Sequence, residues 1–458
     1  MKGRLSRWLL NVLRVFKILS LLFLCSFVLW RTLLYVEVNR RLARIRTAGL
    51  PTSGTELNDW RPSVPDSENG ALVLTQAFDL TRTFPDSRSK EVVKQTPLER
   101  TNVWPKEIHA LVAEYLEMNS EALGKAREAF QFSRFRYPAD FSYGPDTEMP
   151  HLALLKDMAR TVALQTALAA EKGRANEWTE SAGLLLNLAT TLDEEPVLIS
   201  LLVRNAIIRM AVNTIERSLS RFAPDDESCR RLQDAFAATY KTNLLPLVFV
   251  GERAMMIPPF RLSWSEIKSF DQTDEDGNRP RERRRFFGKP APFVWLAGFF
   301  ERDLNFYLQT MDKSISLASL PMPENLVLTN QFEEASQVAR SRYYLLSGMV
   351  LPAFSRVAAR EASTQTQLNL ARTALGIERF RHSHDRLPQD LEELAPQFLD
   401  RVPTDPFDGA PVRYRLRPKG YVIYSVDSDG QDDGGREKPE RKKSTDRTSY
   451  DLTFTVER

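Results

Sequence analysis

The first clear feature in the pattern of apolar and polar positions is the run Ile18 to Val36 (ILSLLFLCSFVLWRTLLYV), which carries a single charge. About 19 residues at roughly 1.5 Å each give about 28 Å of helix, close to a hydrocarbon core of ~30 Å. The pattern predicts a membrane-spanning helix. Arg31 lies near its far end, where a long stem can snorkel to the headgroups. Trp30 and Tyr35 suit the same interface, and Trp8 suits the near one. Glu37 to Ala48 is expected to continue the helix out of the membrane until Gly49, Pro51 and Gly54 break it.

Beyond a Pro-rich connector, Leu57 to Pro65, a short helix is predicted at Glu68 to Leu80. From Pro105 to Tyr240 the apolar period is helical: Ile108, Leu111, Val112, Tyr115 and Met118 fall on one face. A helix from about Leu152 to Lys172 stops at Gly173, and a partner follows from about Glu177 to Leu192. Pro196 opens a third helix that runs to about Ser220, and Pro224 with Asp225 starts a fourth. The pair Leu152 to Leu192 has the small-residue rhythm of a tetratricopeptide-type hairpin. One copy falls short of the about three that such arrays need, so a helical bundle or irregular helical-hairpin region is expected. Lys268 to Pro292 is acidic first (Asp271, Asp274, Glu275, Asp276) and then basic (Arg279, Arg281, Arg283, Arg284, Arg285, Lys289). It reads as a solvated loop, with contact to anionic lipid as the sharper alternative. An EF-hand at Gln272 to Arg283 is excluded, since Gln and Arg stand where the loop requires Asp and Glu. Helices are expected again at Phe293 to Ser316 and from about Gln331. The last runs from about Tyr343 to His382 with a bend at Pro352.

Near the C-terminus the period changes from helical to alternating. Leu387-Pro388 ends a helix and Asp408-Gly409 makes a turn. Val412 to Leu416, Tyr421 to Tyr424 and Asp451 to Val456 read as three short strands.

At 458 residues the chain has room for two or three domains, and 42% apolar with 27% charged residues is a globular balance. A net charge of +3 gives no reason to expect a nucleic-acid partner. Cys25 sits in the apolar run and Cys229 in a distant polar helix, so no disulfide framework is expected. Arg31 and Glu37 stand where a cleaved signal peptide needs small residues, and Leu24 precedes Cys25 where a lipoprotein signal needs one. An uncleaved anchor is therefore expected, in preference to a buried helix. Lys2, Arg4, Arg7, Arg14 and Lys17 precede the segment and Arg40, Arg41, Arg44 and Arg46 follow it, which slightly favours a cytoplasmic N-terminus.

Four motifs cluster in Ala374 to Gly435: Phe380 to Pro388, Pro403 to Gly409 (PTDPFDG), Tyr421 to Ser425 (YVIYS) and Asp429 to Gly435 (DGQDDGG). Together they resemble the globular head of type II secretion major pseudopilins. The resemblance covers about the last quarter of the chain and lacks the pilin N-terminus: no Gly-Phe processing site and no apolar 20-mer lie directly ahead of the long helix, and Leu345 to Phe354 is too short to span. It implies a small α+β head with a short antiparallel sheet, and it places the bulk of the chain outside the cytoplasm. The whole chain also resembles membrane-anchored bacterial envelope proteins of this layout. In pseudopilins the loop after the tyrosine strand binds calcium. By motif, Asp429 takes the matching carboxylate position, and Val426 and Gln431 take backbone-carbonyl positions. Asp427, Asp432 and Asp433 add carboxylates that repel one another unless a cation or full solvation relieves them. An ordinary acidic turn is the competing reading, strengthened by the basic run Arg436 to Lys443 where the family is acidic; Asp446 is a further candidate ligand.

Other chemistry is sparse. His382 and His384 are two apart at a helix end and suit capping, while His109 and His151 stand alone near helix starts. Glu194-Glu195 and Glu333-Glu334 read as solvated helix residues. No H-E-x-x-H, G-x-S-x-G, C-x-x-C, P-loop or Rossmann pattern occurs, so no catalytic residue is assigned. The expectation is a mainly α chain: a basic tail (1–17), a transmembrane helix (18–36), a connector (37–104), a helical domain (105–340) and a long helix with the pseudopilin-like head (341–458). The module from about Ser341 onward is expected to be separable in stability. The function expected is a membrane-tethered interaction or scaffolding protein of the inner membrane with its bulk in the periplasm. An accessory role in a secretion or pilus-like system and an envelope hydrolase with scattered site residues are the alternatives.

Overall fold

The computed structural model describes residues 2–95, 100, 104–242, 244–261, 298–438 and 449–458. The acidic-then-basic stretch Lys268 to Pro292 and Asp446 lie outside the described residues. The protein is mainly α, with one small antiparallel sheet near the C-terminus.

Helix α1 (Lys2–Thr47) is a single rod of 46 residues. Its large apolar side chains from Val12 to Val36 are mostly exposed, whereas Val38, Leu42 and Ile45, one face at helical spacing, are buried in the body. Helix α2 (Gly54–Trp60) starts at Ser53, whose Oγ accepts the Glu56 N–H at 3.1 Å, while Glu56 Oε2 accepts the Thr52 N–H at 2.7 Å. Of the short helices α3 (Gly70–Asp79), α4 (Arg88–Lys94), α5 (Lys106–Met118) and α6 (Ser120–Glu128), α3 and α5 pack on α7 (His151–Glu171), while α4 lies against α5 and α6 against α3. Gly173, at φ 65°, turns α7 into its partner α8 (Ala175–Thr190), as the sequence predicts. Next come α9 (Leu198–Leu219) and α10 (Asp226–Thr239), the latter capped by Asp225 Oδ1 on the Ser228 N–H at 2.8 Å.

A second layer holds α11 (Leu244–Phe260), α12 (Phe299–Ala318), α13 (Val327–Ser341) and α14 (Leu345–Val350), packed with the end of α1. Helix α15 (Val357–His384), with most of its residues buried, is the spine of the C-terminal part. The single long helix expected from Tyr343 is two helices. Pro352 has no N–H to give and sits in a 3₁₀ turn, Leu351–Phe354, that parts α14 from α15. Among the described residues, two helical stretches are long and apolar enough to cross a membrane: Asn11–Thr47 of α1, whose apolar window is unburied, and α9, which is mostly inside the body as a core helix is.

Strands β1 (Arg413–Arg417), β2 (Gly420–Ser425) and β3 (Leu452–Glu457) pair antiparallel in that order, with Tyr414 opposite Ile423 and Tyr424 opposite Thr453. All of β2 is buried, because both its faces are covered. Tyr421 and Ile423 join the core, and Gly435 lies on the other face against Val422 and Tyr424. A Cβ at Gly435 would come within 3.0 Å of Tyr424 Cδ1, and its φ of 76° favours glycine too.

Strand β3 leans on α9 as well as α15. The Thr455 N–H donates to Glu216 Oε1 at 2.7 Å, and the Arg458 guanidinium donates to Leu219 O at 2.7 Å and to the Glu378 carboxylate. Phe454 and Val456 thus share one buried cluster with Val162, Ile207 and Phe236. The expected separability of the head meets a different arrangement, a core common to the head and the helical region.

Candidate functional site

In the loop after β2, three of the acidic side chains, those of Asp427, Asp429 and Asp432, close local turns. Asp427, at φ 54°, accepts the Ser428 N–H on Oδ1 at 2.7 Å, and Asp429 Oδ1 accepts the Gln431 N–H at 3.0 Å. Asp432 Oδ1 accepts the Gly434 N–H at 2.9 Å, and its Oδ2 lies 3.2 Å from Arg413 Nε. Asp433 Oδ1 accepts the Ser449 hydroxyl at 3.0 Å, and the Val426 N–H donates to Asp405 Oδ2 at 3.1 Å. Burial raises the Asp427 carboxyl above its ordinary range, opposed by the Ser428 N–H and reinforced by the Asp429 charge. The four aspartates do not converge on one point. Among the described residues, no three His, Cys, Asp or Glu side chains form a group that could hold a metal. Arg413, paired with Asp405, Asp408 and Asp432, relieves part of the carboxylate repulsion. The residues fit a cation in part: Asp433 Oδ2 is buried without a partner, whereas Asp432 is already paired.

A buried polar cluster that sequence reading missed gathers around Glu195. It lies where the chain enters α9. Glu195 is buried and sits in the turn before the helix, so it is not the solvated helix residue expected. His151 Nε2 is 3.0 Å from its Oε1, and the Ser200 hydroxyl donates to its Oε2 at 2.5 Å. Arg61 closes the group, with NH2 at 4.0 Å from Glu195 Oε1 and its guanidinium over the Phe141 ring at 5.1 Å. Burial pulls the Arg61 pKa below its usual range, and the Glu195 charge partly offsets this. Tyr137 stacks on the His151 ring at 4.3 Å and donates its hydroxyl to Thr191 Oγ1 at 3.1 Å. Serine, histidine and glutamate are all present, but an activated nucleophile needs its hydroxyl on the imidazole. Here Ser200 gives its proton to the carboxylate, and all three residues are buried. The arrangement is a charge knot that ties α2, α7 and α9 together.

Beside it, the Leu198 N–H at the first turn of α9 donates to Glu252 Oε1 of α11 at 2.7 Å. Gly251 makes this approach possible, since a Cβ there would lie 1.7 Å from Pro196 O. Burial raises the Glu252 carboxyl to about 7 from an ordinary 4.5, against the pull of the Leu198 N–H. Glu216 is likewise raised to about 7 by burial, with the Thr455 N–H opposing. An acid whose pKa is raised by folding binds its proton more tightly in the folded chain. Its stabilising contribution is full below about 4.5 and is lost as pH rises through about 7. The melting temperature is therefore expected to fall between about pH 5 and about pH 8, and Glu252→Gln should flatten that slope. An unchanged slope in the variant would assign the dependence elsewhere.

An open cleft of about 310 Å³ lies between α15 and the following loop, lined by Tyr240, Asn369, Arg372, Asp400, Arg401, Pro403 and Thr404. Arg372 Nε is buried without a partner there. The lining offers charge and hydrogen-bonding groups. Of the histidines at the end of α15, His384 caps it, with Nδ1 3.2 Å from Phe380 O, whereas His382 Nε2 contacts Pro224 O in the loop before α10 at 2.6 Å. Compared with protein-family models, curated proteins and solved structures, the chain matches none.

Proposed function

We propose that this chain is a membrane-tethered interaction or scaffolding protein of the bacterial envelope. Helix α1 is its anchor in the inner membrane, and the remainder stands on the periplasmic side. The observation that carries the reading is the course of α1. One unbroken helix presents unburied apolar residues as far as Val36 and then buries Val38, Leu42 and Ile45 in the body. The polar cleft and the helical surface offer binding area. Reporter fusions at Lys241 and Arg458 should both read extracytoplasmic, and the protein should resist carbonate extraction. A cytoplasmic signal at either site or release by carbonate would overturn the reading. Crosslinking in membranes followed by mass spectrometry would then name the partner. An accessory role in a secretion or pilus-like system is favoured by the head, in which a buried spine helix backs a three-stranded sheet.

Calcium in the Asp427–Asp433 loop is a separate proposal, supported by the buried, unpartnered Oδ2 of Asp433. Millimolar calcium is expected to raise the melting temperature over chelator, by about 2.7 kcal/mol of stability at one hundred times the dissociation constant. Equal melting temperatures would leave the loop as the cover of β2 alone.

A further inference from the structure

We infer that the turn Tyr343–Leu345 is a second membrane contact, dipping into the headgroup layer of the bilayer beside α1. The inference rests on the anchoring role proposed for α1 and adds a surface of the body to it.

Helix α12 runs beside α1 in the same sense along the chain. Arg31 NH2 reaches Glu301 Oε1 at 2.8 Å, and further along both helices Arg41 Nε reaches Asn305 Oδ1 at 2.9 Å. The first turn of α12 therefore lies at the level that the Arg31 guanidinium reaches, near the far end of the apolar run of α1, where that long side chain snorkels toward the headgroups. Phe27, Trp30 and Leu34 are already half-buried there, so the body stands directly on that boundary.

Asp303 ties the turn to this level. It follows Glu301 by about 3 Å of helix rise. Its buried carboxylate accepts the Leu346 N–H at 2.8 Å and the Ser347 N–H at 3.2 Å, which caps α14. Tyr344 packs against Phe306 of α12 at 5.0 Å, under the guanidinium of Arg302. A rise of about 3 Å is within the headgroup layer, which is roughly 5–7 Å deep on each side.

What the turn presents at that height is suited to lipid. Tyr343 is 76% exposed and Leu345 55% exposed, with Met349 exposed nearby and Arg340 and Arg342 on the surface beside them. Tyrosine prefers the membrane interface, aliphatic side chains prefer the acyl boundary, and arginines attract anionic headgroups. Singly exposed apolar residues are ordinary on a protein surface. Tyr343 is not ordinary in its backbone. It holds φ 57° just past the Arg342 cap of α13, a position where glycine is the low-cost choice. A strained aromatic side chain aimed away from the body requires an external partner to be useful. Continuity with the anchor makes that partner the bilayer.

The test uses the full chain in nanodiscs of phosphatidylcholine and phosphatidylglycerol, with and without nitroxide-bearing lipid. An environment-sensitive fluorophore is placed on native Cys25, or on Tyr343→Cys or Ser319→Cys in a Cys25→Ser background. Ser319, exposed at the far end of α12, is the control for height. The labels at positions 25 and 343 should lose most of their emission to nitroxide lipid, while the label at 319 should keep its own. Quenching at 25 without quenching at 343 overturns the inference and leaves the anchor standing. No quenching at 25 overturns the anchor and the inference with it. A blue-shifted, unquenched label at 343 would mean that protein, such as a second copy, covers the turn, and also overturns it.

Discussion

Replacing Glu195 with alanine should cost about 3–5 kcal/mol of stability, because it strands the buried Arg61 guanidinium without its carboxylate. The side chains of Arg61 and Glu195 are 4% and 2% exposed, so solvent cannot take over the lost pairing. Ser200 and His151 lose their acceptor in the same change. Glu195→Gln keeps the shape and one acceptor oxygen, and should fall between wild type and alanine. The double change Arg61→Met with Glu195→Ala should cost less than the sum of the single changes, since neither then leaves an orphaned charge. Denaturant unfolding of the detergent-solubilised protein reads all of these. Additive costs would mean that the two residues do not act as a unit.

Asp405 is expected to be the second most sensitive position. Its carboxylate is fully buried and serves four donors: the Phe407 N–H at 3.0 Å, the Ser425 hydroxyl at 2.8 Å, the Val426 N–H at 3.1 Å and Arg413 NH1 at 3.2 Å. It joins the PTDPFDG turn to the end of β2. Asp405→Ala should cost about 3–5 kcal/mol, and Asp405→Asn about 1–3 kcal/mol, since an amide cannot accept on both sides. Hydrogen exchange of the β2 and β3 amides locates the damage. Protection lost uniformly through α7 and α8 as well would show that the head and helices unfold as one unit, as their common core implies.

Much of the architecture was legible in the sequence where local chemistry decides it. Gly173 ends α7, Asp225 caps α10, and the Tyr421 to Tyr424 run is a strand. Pro352 was legible as a bend and proved a break, because a 3₁₀ turn adds to the missing N–H. The charge knot was not legible. Glu195 meets His151 across 44 residues and meets Arg61 from the far side of the connector. An acidic pair before an apolar helix looks the same whether water or arginine faces it. The covering of β3 by α9 was hidden for the same reason, since period tells which face is apolar and not what covers it. For the acidic loop, composition revealed the carboxylates but not the arginine of β1 that sits among them.

The absence of a joint in α1 has a consequence for reach. A domain on a flexible linker sweeps a volume that grows with linker length and samples partners at many heights above the bilayer. In the anchored state we propose, the rod enters the core at Val38 with no glycine or proline between its apolar run and the body, so the body is carried like a flag fixed to its pole. Its encounters are confined to a thin shell beside the membrane, in which lateral diffusion sets the meeting rate. Any tilt of α1 imposed by bilayer thickness or by a neighbouring helix turns the whole binding surface with it.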